Sequence, residues 1–263
     1  MRIEVRAALA GAMLIGVGLA LAGCGGAPKQ QSEPKQGAAA SARERAKIHT
    51  ELGVSYYESG KLGIALQELT DAIAADKNYA PAWGARALVY IDLKEDDQAQ
   101  RDFKQALKLE PDSSETKNNY GQFLCQRNQT QEGIRYLLDA IKNPLYATPD
   151  VAYKNAALCA LNAGDKKTAE EYFLRALKIN PNQPQSLYNM AALDFERDRY
   201  STAKRYLERY VKAVESPGPE ALLLGARIER RLGDRAAMLS YGNQLRLRFP
   251  SSPETKAFFE GRF

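Results

Sequence analysis

The chain has 263 residues, 44% apolar and 26% charged, with a formal charge of +5. That is the balance of a soluble globular chain, long enough for one or two ordinary domains. Acidic and basic residues are interspersed, with no run of five or more like charges, which argues against a nucleic-acid-binding stripe.

The first 23 residues stand apart from the rest. Arg2 and Arg6 flank a short basic start, and residues 7–23 carry no charge. Those 17 residues are short for a bilayer span, which needs ~20 mostly apolar residues, and they fit the apolar region of a secretory signal. The segment ends in Leu21-Ala22-Gly23-Cys24, which resembles the bacterial lipobox. The resemblance implies cleavage before Cys24, a diacylglyceryl group on its thiol and an acyl chain on the freed amine. One acyl chain binds a membrane marginally, whereas two or more anchor stably. Gly25 stands where an aspartate would resemble an inner-membrane retention signal, so outer-membrane sorting with the body facing the periplasm is expected. An uncleaved inner-membrane anchor is the alternative. Loss of Arg2, Arg6 and Glu4 leaves 35 basic against 31 acidic residues.

Residues 24–45 are expected to be the lipidated N-terminus and a flexible tether. Residues 25–42 contain Gly, Ala, Pro, Gln, Ser and Lys with almost nothing large and apolar, too little to offset the entropy of ordering.

From residue 46 one period governs the chain. Small residues recur at Gly53, Ala87, Gly121, Ala157, Ala191 and Gly225, in steps of 34, 34, 36, 34 and 34. A second small column, Ala65, Ala99, Gly133, Ala169, Ala203 and Ala237, keeps the same steps. So does a large column of Leu69, Phe103, Leu137, Phe173, Leu207 and Tyr241. Two small sites 12 residues apart leave room for the end of one helix, a turn and the start of another. Small side chains let antiparallel helices approach, and the large residue four positions later fills the remaining gap. Turn signals fall between, at Ser59-Gly60, Asn162-Ala163-Gly164-Asp165 and Leu232-Gly233-Asp234. Proline closes units at Pro111, Pro181 and Pro250.

This resembles the tetratricopeptide repeat, most fully in the second unit with Trp83, Ala87, Tyr90, Ala99, Phe103, Ala106 and Pro111. The expected fold is therefore all-α, a superhelical solenoid of six helix-turn-helix repeats at 46–79, 80–113, 114–149, 150–183, 184–217 and 218–251. The two extra residues of the third repeat are placed in the segment Asn143 to Pro149. Ser252-Pro253-Glu254 opens a short capping helix within 252–263, with an N-cap and a proline at the first helical position.

Once Cys24 is acylated, Cys125 and Cys159 remain, 34 residues apart in the first helices of repeats three and four. Their positions are about half a turn apart on neighbouring helices, so bridging depends on the Cα spacing. The periplasm favours a disulfide; two buried free cysteines are the other reading. With one histidine in the chain, two thiolates and His49 make no tetrahedral metal set. His49 stands where Trp83 stands in the second repeat and is read as a packing residue. No Gly-x-Ser-x-Gly, phosphate-binding glycine loop or His-Glu-x-x-His is present. Glu95-Asp96-Asp97 falls in a turn, where carboxylates cap and solvate. The expectation is a non-enzyme without cofactor or small-molecule substrate, which binds a protein partner.

In such a fold the first helices line the concave surface. Val54, Tyr57, Leu88 and Ile91 are candidates for an apolar partner-binding patch there, or they merely pack against adjacent helices. Asn118, Gln122, Lys154, Leu158 and Asn162 share that surface. Thr50 and Val54 occupy positions where a carboxylate clamp needs lysine and asparagine, which speaks against a clamp.

Lipobox, tether, six repeats and a cysteine pair together resemble the PilF/PilW family of type IV pilus biogenesis and stability lipoproteins. The local likeness is carried by Asn118-Asn119-Tyr120-Gly121-Gln122-Phe123-Leu124-Cys125 and by Ala157-Leu158-Cys159-Ala160. The resemblance implies a pilotin that helps the type IV pilus secretin reach the outer membrane and multimerise, supporting twitching motility. A lipoprotein adaptor for outer-membrane protein assembly or for murein hydrolases is the alternative.

Overall fold

The computed structural model describes residues 35–263, with side-chain surroundings from Ser41 onward. The signal segment 1–23, Cys24 and the start of the tether lie outside the described residues.

The described residues form thirteen α-helices and no strand. The first repeat pairs α1 (Lys35–Glu58) with α2 (Leu62–Ala75), and the second pairs α3 (Ala80–Asp92) with α4 (Asp96–Leu109). The third has α5 (Ser114–Gln126) and α6 (Thr130–Ala140), and the fourth α7 (Pro149–Asn162) and α8 (Lys166–Ile179). The fifth has α9 (Pro184–Glu196) and α10 (Tyr200–Ala213), and the sixth α11 (Pro219–Leu232) and α12 (Arg235–Arg248). A short α13 (Pro253–Phe259) follows. Each helix packs against its hairpin mate, and each hairpin packs against the next, which is the connectivity of a solenoid.

The periodic columns are the glue of every hairpin. Ala65, Ala99, Ala169 and Ala203 are fully buried beside Leu69, Phe103, Phe173 and Leu207, which fill the space between the paired helices. Burial of each such large side chain contributes about 1.5–3 kcal/mol. The sixth unit departs from this, since Ala237 is only half-buried. Phe258 of α13 covers that end and lies against Gly242, where a Cβ would come within 2.1 Å of its Cε1 atom. Ser252 caps α13, accepting from Thr255 N at 3.1 Å, with Pro253 in the first turn.

Every hairpin turns through one residue of positive φ. Gly60, Gly164 and Gly233 fill that place in repeats one, four and six. Lys94 (φ 64°), Asn128 (φ 61°) and Asp198 (φ 57°) fill it in the others. Left-handed backbone is favoured by glycine and tolerated by Asn and Asp; Lys94 holds it against its own preference. The connections between repeats are four or five residues long, except for the eight of 141–148 between repeats three and four.

One expectation needs correction. Residues 35–45, assigned to the tether, continue α1. The stretch Ala38-Ala39-Ala40-Ser41-Ala42-Arg43-Glu44-Arg45 lacks large apolar groups but consists of good helix formers, so it extends a helix already nucleated by the first repeat. Ala46 is fully buried, and Arg43 reaches Asp76 at 3.8 Å and lies over the Tyr79 ring. His49, read as a structural residue, is half-buried, and its Nδ1 lies 2.7 Å from Glu68 Oε2, joining α1 to α2 through a polar contact.

Candidate functional site: the inner surface of the stack

Which helices lie on the inside of the curve follows from which of them touch. Successive first helices meet, α1 with α3, α3 with α5, α5 with α7 and α9 with α11, whereas successive second helices make no comparable contact. The first helices therefore lie on the inside of the curve.

The four candidate patch residues are all on inner helices, but they are not alike. Val54 is 36% exposed and belongs to none of the buried clusters. Tyr57 is half-buried against Ala65, Leu69 and Val89 between repeats one and two. Burial pushes its phenol upward, and a hydrogen bond to the Asp92 carboxylate on α3 adds to that rise. Leu88 and Ile91 are half-buried in the next cluster, around Phe103, Tyr120 and Phe123. Thus Leu88 and Ile91 share one cluster, Tyr57 belongs to its neighbour, and Val54 is the most open to a partner.

Polar residues farther along are engaged with one another. Thr50 is buried and donates to Ala46 O at 2.7 Å. Asn155 Nδ2 donates to Asn118 Oδ1 at 3.0 Å, across repeats three and four. Lys154 is held below the usual lysine range by burial, with Asp150 opposing that shift.

Cys125 on α5 and Cys159 on α7 are joined, with Sγ–Sγ 2.01 Å and Cα–Cα 5.4 Å. The pair staples two inner helices across the eight-residue connection. Sequence spacing left that geometry open. Cys125 follows Gly121 by four residues whereas Cys159 follows Ala157 by two, and the 5.4 Å Cα spacing shows that the two positions nevertheless meet.

Ion pairs inside the hairpins left no periodic signal. Arg86 grips Asp102 through two bonds of 2.7 and 3.1 Å, with its guanidinium over the Trp83 and Tyr90 rings. The matching places in repeat three hold Tyr120 and Tyr136, with ring centroids 4.8 Å apart. Glu170 bridges Arg197 and Arg199 between repeats four and five. Burial would raise its carboxyl, but the two guanidiniums outweigh that and hold it below the usual carboxylate range.

Fold and surface define a tetratricopeptide-repeat scaffold, and the tetratricopeptide repeat family matches residues 47–212. The type IV pilus assembly protein PilF of Pseudomonas aeruginosa is 30% identical over 210 residues, covering 80% of this chain and 83% of that protein. The crystal structure of PilW, a type IV pilus biogenesis factor, superposes with a TM-score of 0.74 at 34% identity, over 81% of this chain and 98% of PilW. The structure of P. aeruginosa PilF superposes with a TM-score of 0.77 at 29% identity, over 84% of this chain and 99% of that one. The chain belongs to the family of tetratricopeptide-repeat type IV pilus biogenesis factors that includes PilF and PilW.

Proposed function

We propose that the protein is a pilotin: a lipid-anchored outer-membrane scaffold that binds the type IV pilus secretin and promotes its localisation and multimerisation. The observation that carries this reading is the match to 83% of the PilF sequence and to 98% of the PilW structure. Acyl chains on Cys24 would hold the body at the membrane, and residues 25–34 would give it reach. The inner surface would take a segment of the secretin against Val54, Tyr57, Leu88 and Ile91. Nothing in that role asks for chemistry by the protein, only for a shaped surface held near the site of assembly.

A strain lacking the gene, complemented with wild type or with variants, tests the reading. Val54→Asp is expected to reduce detergent-resistant secretin multimers and surface pili, because it sets a charge on the open part of the patch. Leu88→Asp is expected to act likewise, with circular dichroism required to show an intact stack because Leu88 also packs near Phe103. Normal multimers and pili in the deletion strain, with barrel-protein assembly impaired instead, would favour the adaptor alternative.

A further inference from the structure

We infer that repeats five and six carry a second docking surface, for an acidic peptide segment of a protein partner that bears an aromatic or aliphatic side chain next to its carboxylates. Phe195 on α9, Arg227, Arg230 and Arg231 on α11, and Phe263 enclose a cavity of about 490 Å³. A recess of about 420 Å³ shares Phe195 and Arg227 with it and is lined as well by Tyr188, Glu196, Glu220 and Glu254. Both α9 and α11 are inner helices, so the two spaces form one trough on the inside of the curve, at the opposite end of the stack from Val54.

Charge says what would fill it. Among the cations of these repeats, Arg197 pairs with Glu170, Arg199 with Asp194 and Lys204 with Glu229. Among the described residues, neither Arg227 nor Arg231 has a carboxylate within ion-pair distance. Arg231 instead lies over the Tyr200 ring at 5.4 Å. Arg230 donates to Phe263 O at 2.6 Å and covers its ring, and stacking on Phe258 holds that ring in place. Arg227 and Arg231 are one helical turn apart on the same face, where like charges repel. A carboxylate ligand would relieve that repulsion and could be gripped by two forks at once. Phe195 and Tyr188 offer flat apolar faces beside the cations, the pairing that makes a peptide anchor.

This surface does not depend on the secretin reading of repeats one and two, and its test separates the two. Fluorescein-labelled Lys-Ser-Phe-Glu-Asp-Asp amide is titrated with the full chain in detergent and followed by anisotropy. The charge-reversed peptide Glu-Ser-Phe-Lys-Lys-Lys amide and a single-stranded ten-nucleotide oligomer serve as comparisons. Binding of the acidic peptide is expected, weakening with salt. The double variant Arg227→Ala/Arg231→Ala should lose at least tenfold in affinity, Arg227→Lys/Arg231→Lys should recover part, and Val54→Asp should bind like wild type. A photoreactive benzoylphenylalanine in place of the peptide phenylalanine should cross-link to α9 or α11 of the wild type, which keeps the test independent of variant folding. No binding of the acidic peptide at millimolar protein, equal or tighter binding of either comparison probe, unchanged affinity in the alanine pair, or cross-links confined to repeats one and two would each overturn the proposal.

Discussion

Removing the bridge between Cys125 and Cys159 is expected to destabilise the stack by roughly 3–4 kcal/mol. The figure follows from the 34-residue separation it closes in the unfolded chain. Position makes the effect larger than its share of contacts suggests. In a linear array each repeat is held only by its neighbours, so stability is a sum of interfaces and the weakest one opens first. Repeats three and four are joined by the longest connection, residues 141–148, and it is across that interface that the bridge runs. Urea unfolding of the wild type, with and without reductant, and of Cys125→Ser/Cys159→Ser should show the loss. Hydrogen exchange should show α5 to α8 opening before α1 and α2. An unchanged urea midpoint in both comparisons would contradict this account.

Gly133→Ala is expected to cost about 3 kcal/mol, the upper end of ordinary overpacking. Both small positions of repeat three are glycine, and their backbones touch: a Cβ on Gly133 would lie 2.8 Å from Gly121 O and 2.4 Å from Cys125 Sγ. A sulfur can move, but a backbone oxygen in a packed helix cannot move cheaply. Cys125→Ala should therefore recover only part of the loss in a double-mutant cycle. Gly63→Ala is the control, since nothing lies within 4 Å of its added Cβ. A Gly133→Ala protein that unfolds at the wild-type urea midpoint would show that α5 and α6 do not approach so closely.

The fold was legible because its packing rule repeats. Ala65, Ala99, Ala169 and Ala203 face the same geometric demand, so one physical cause printed the same residue class every 34 or 36 positions. Turns were legible where glycine answers the need for positive φ, as at Gly60 and Gly164, and not at Lys94, where the demand is the same but the chain meets it with strain. The extension of α1 is not legible, because a stretch poor in apolar residues has the composition of a disordered segment, although an alanine-rich stretch can prolong an existing helix without burying much. The candidate site was less legible. Repeat position places Val54 and Leu88 on inner helices, but how far each packs into the neighbouring cluster depends on partners such as Tyr120, one repeat away. The arginine-lined trough was invisible for a related reason: Phe195 and Arg227 come from different repeats, and no motif joins them.

The proposed function requires that the inner surface of the stack, and not its outside, receive the secretin. Photo-cross-linking in living cells from a reactive residue at position 54, compared with one at the exposed Leu174 on outer helix α8, tests it most directly. The account predicts a secretin adduct from position 54 and none from position 174. Adducts from both positions alike, or from position 174 alone, would contradict it.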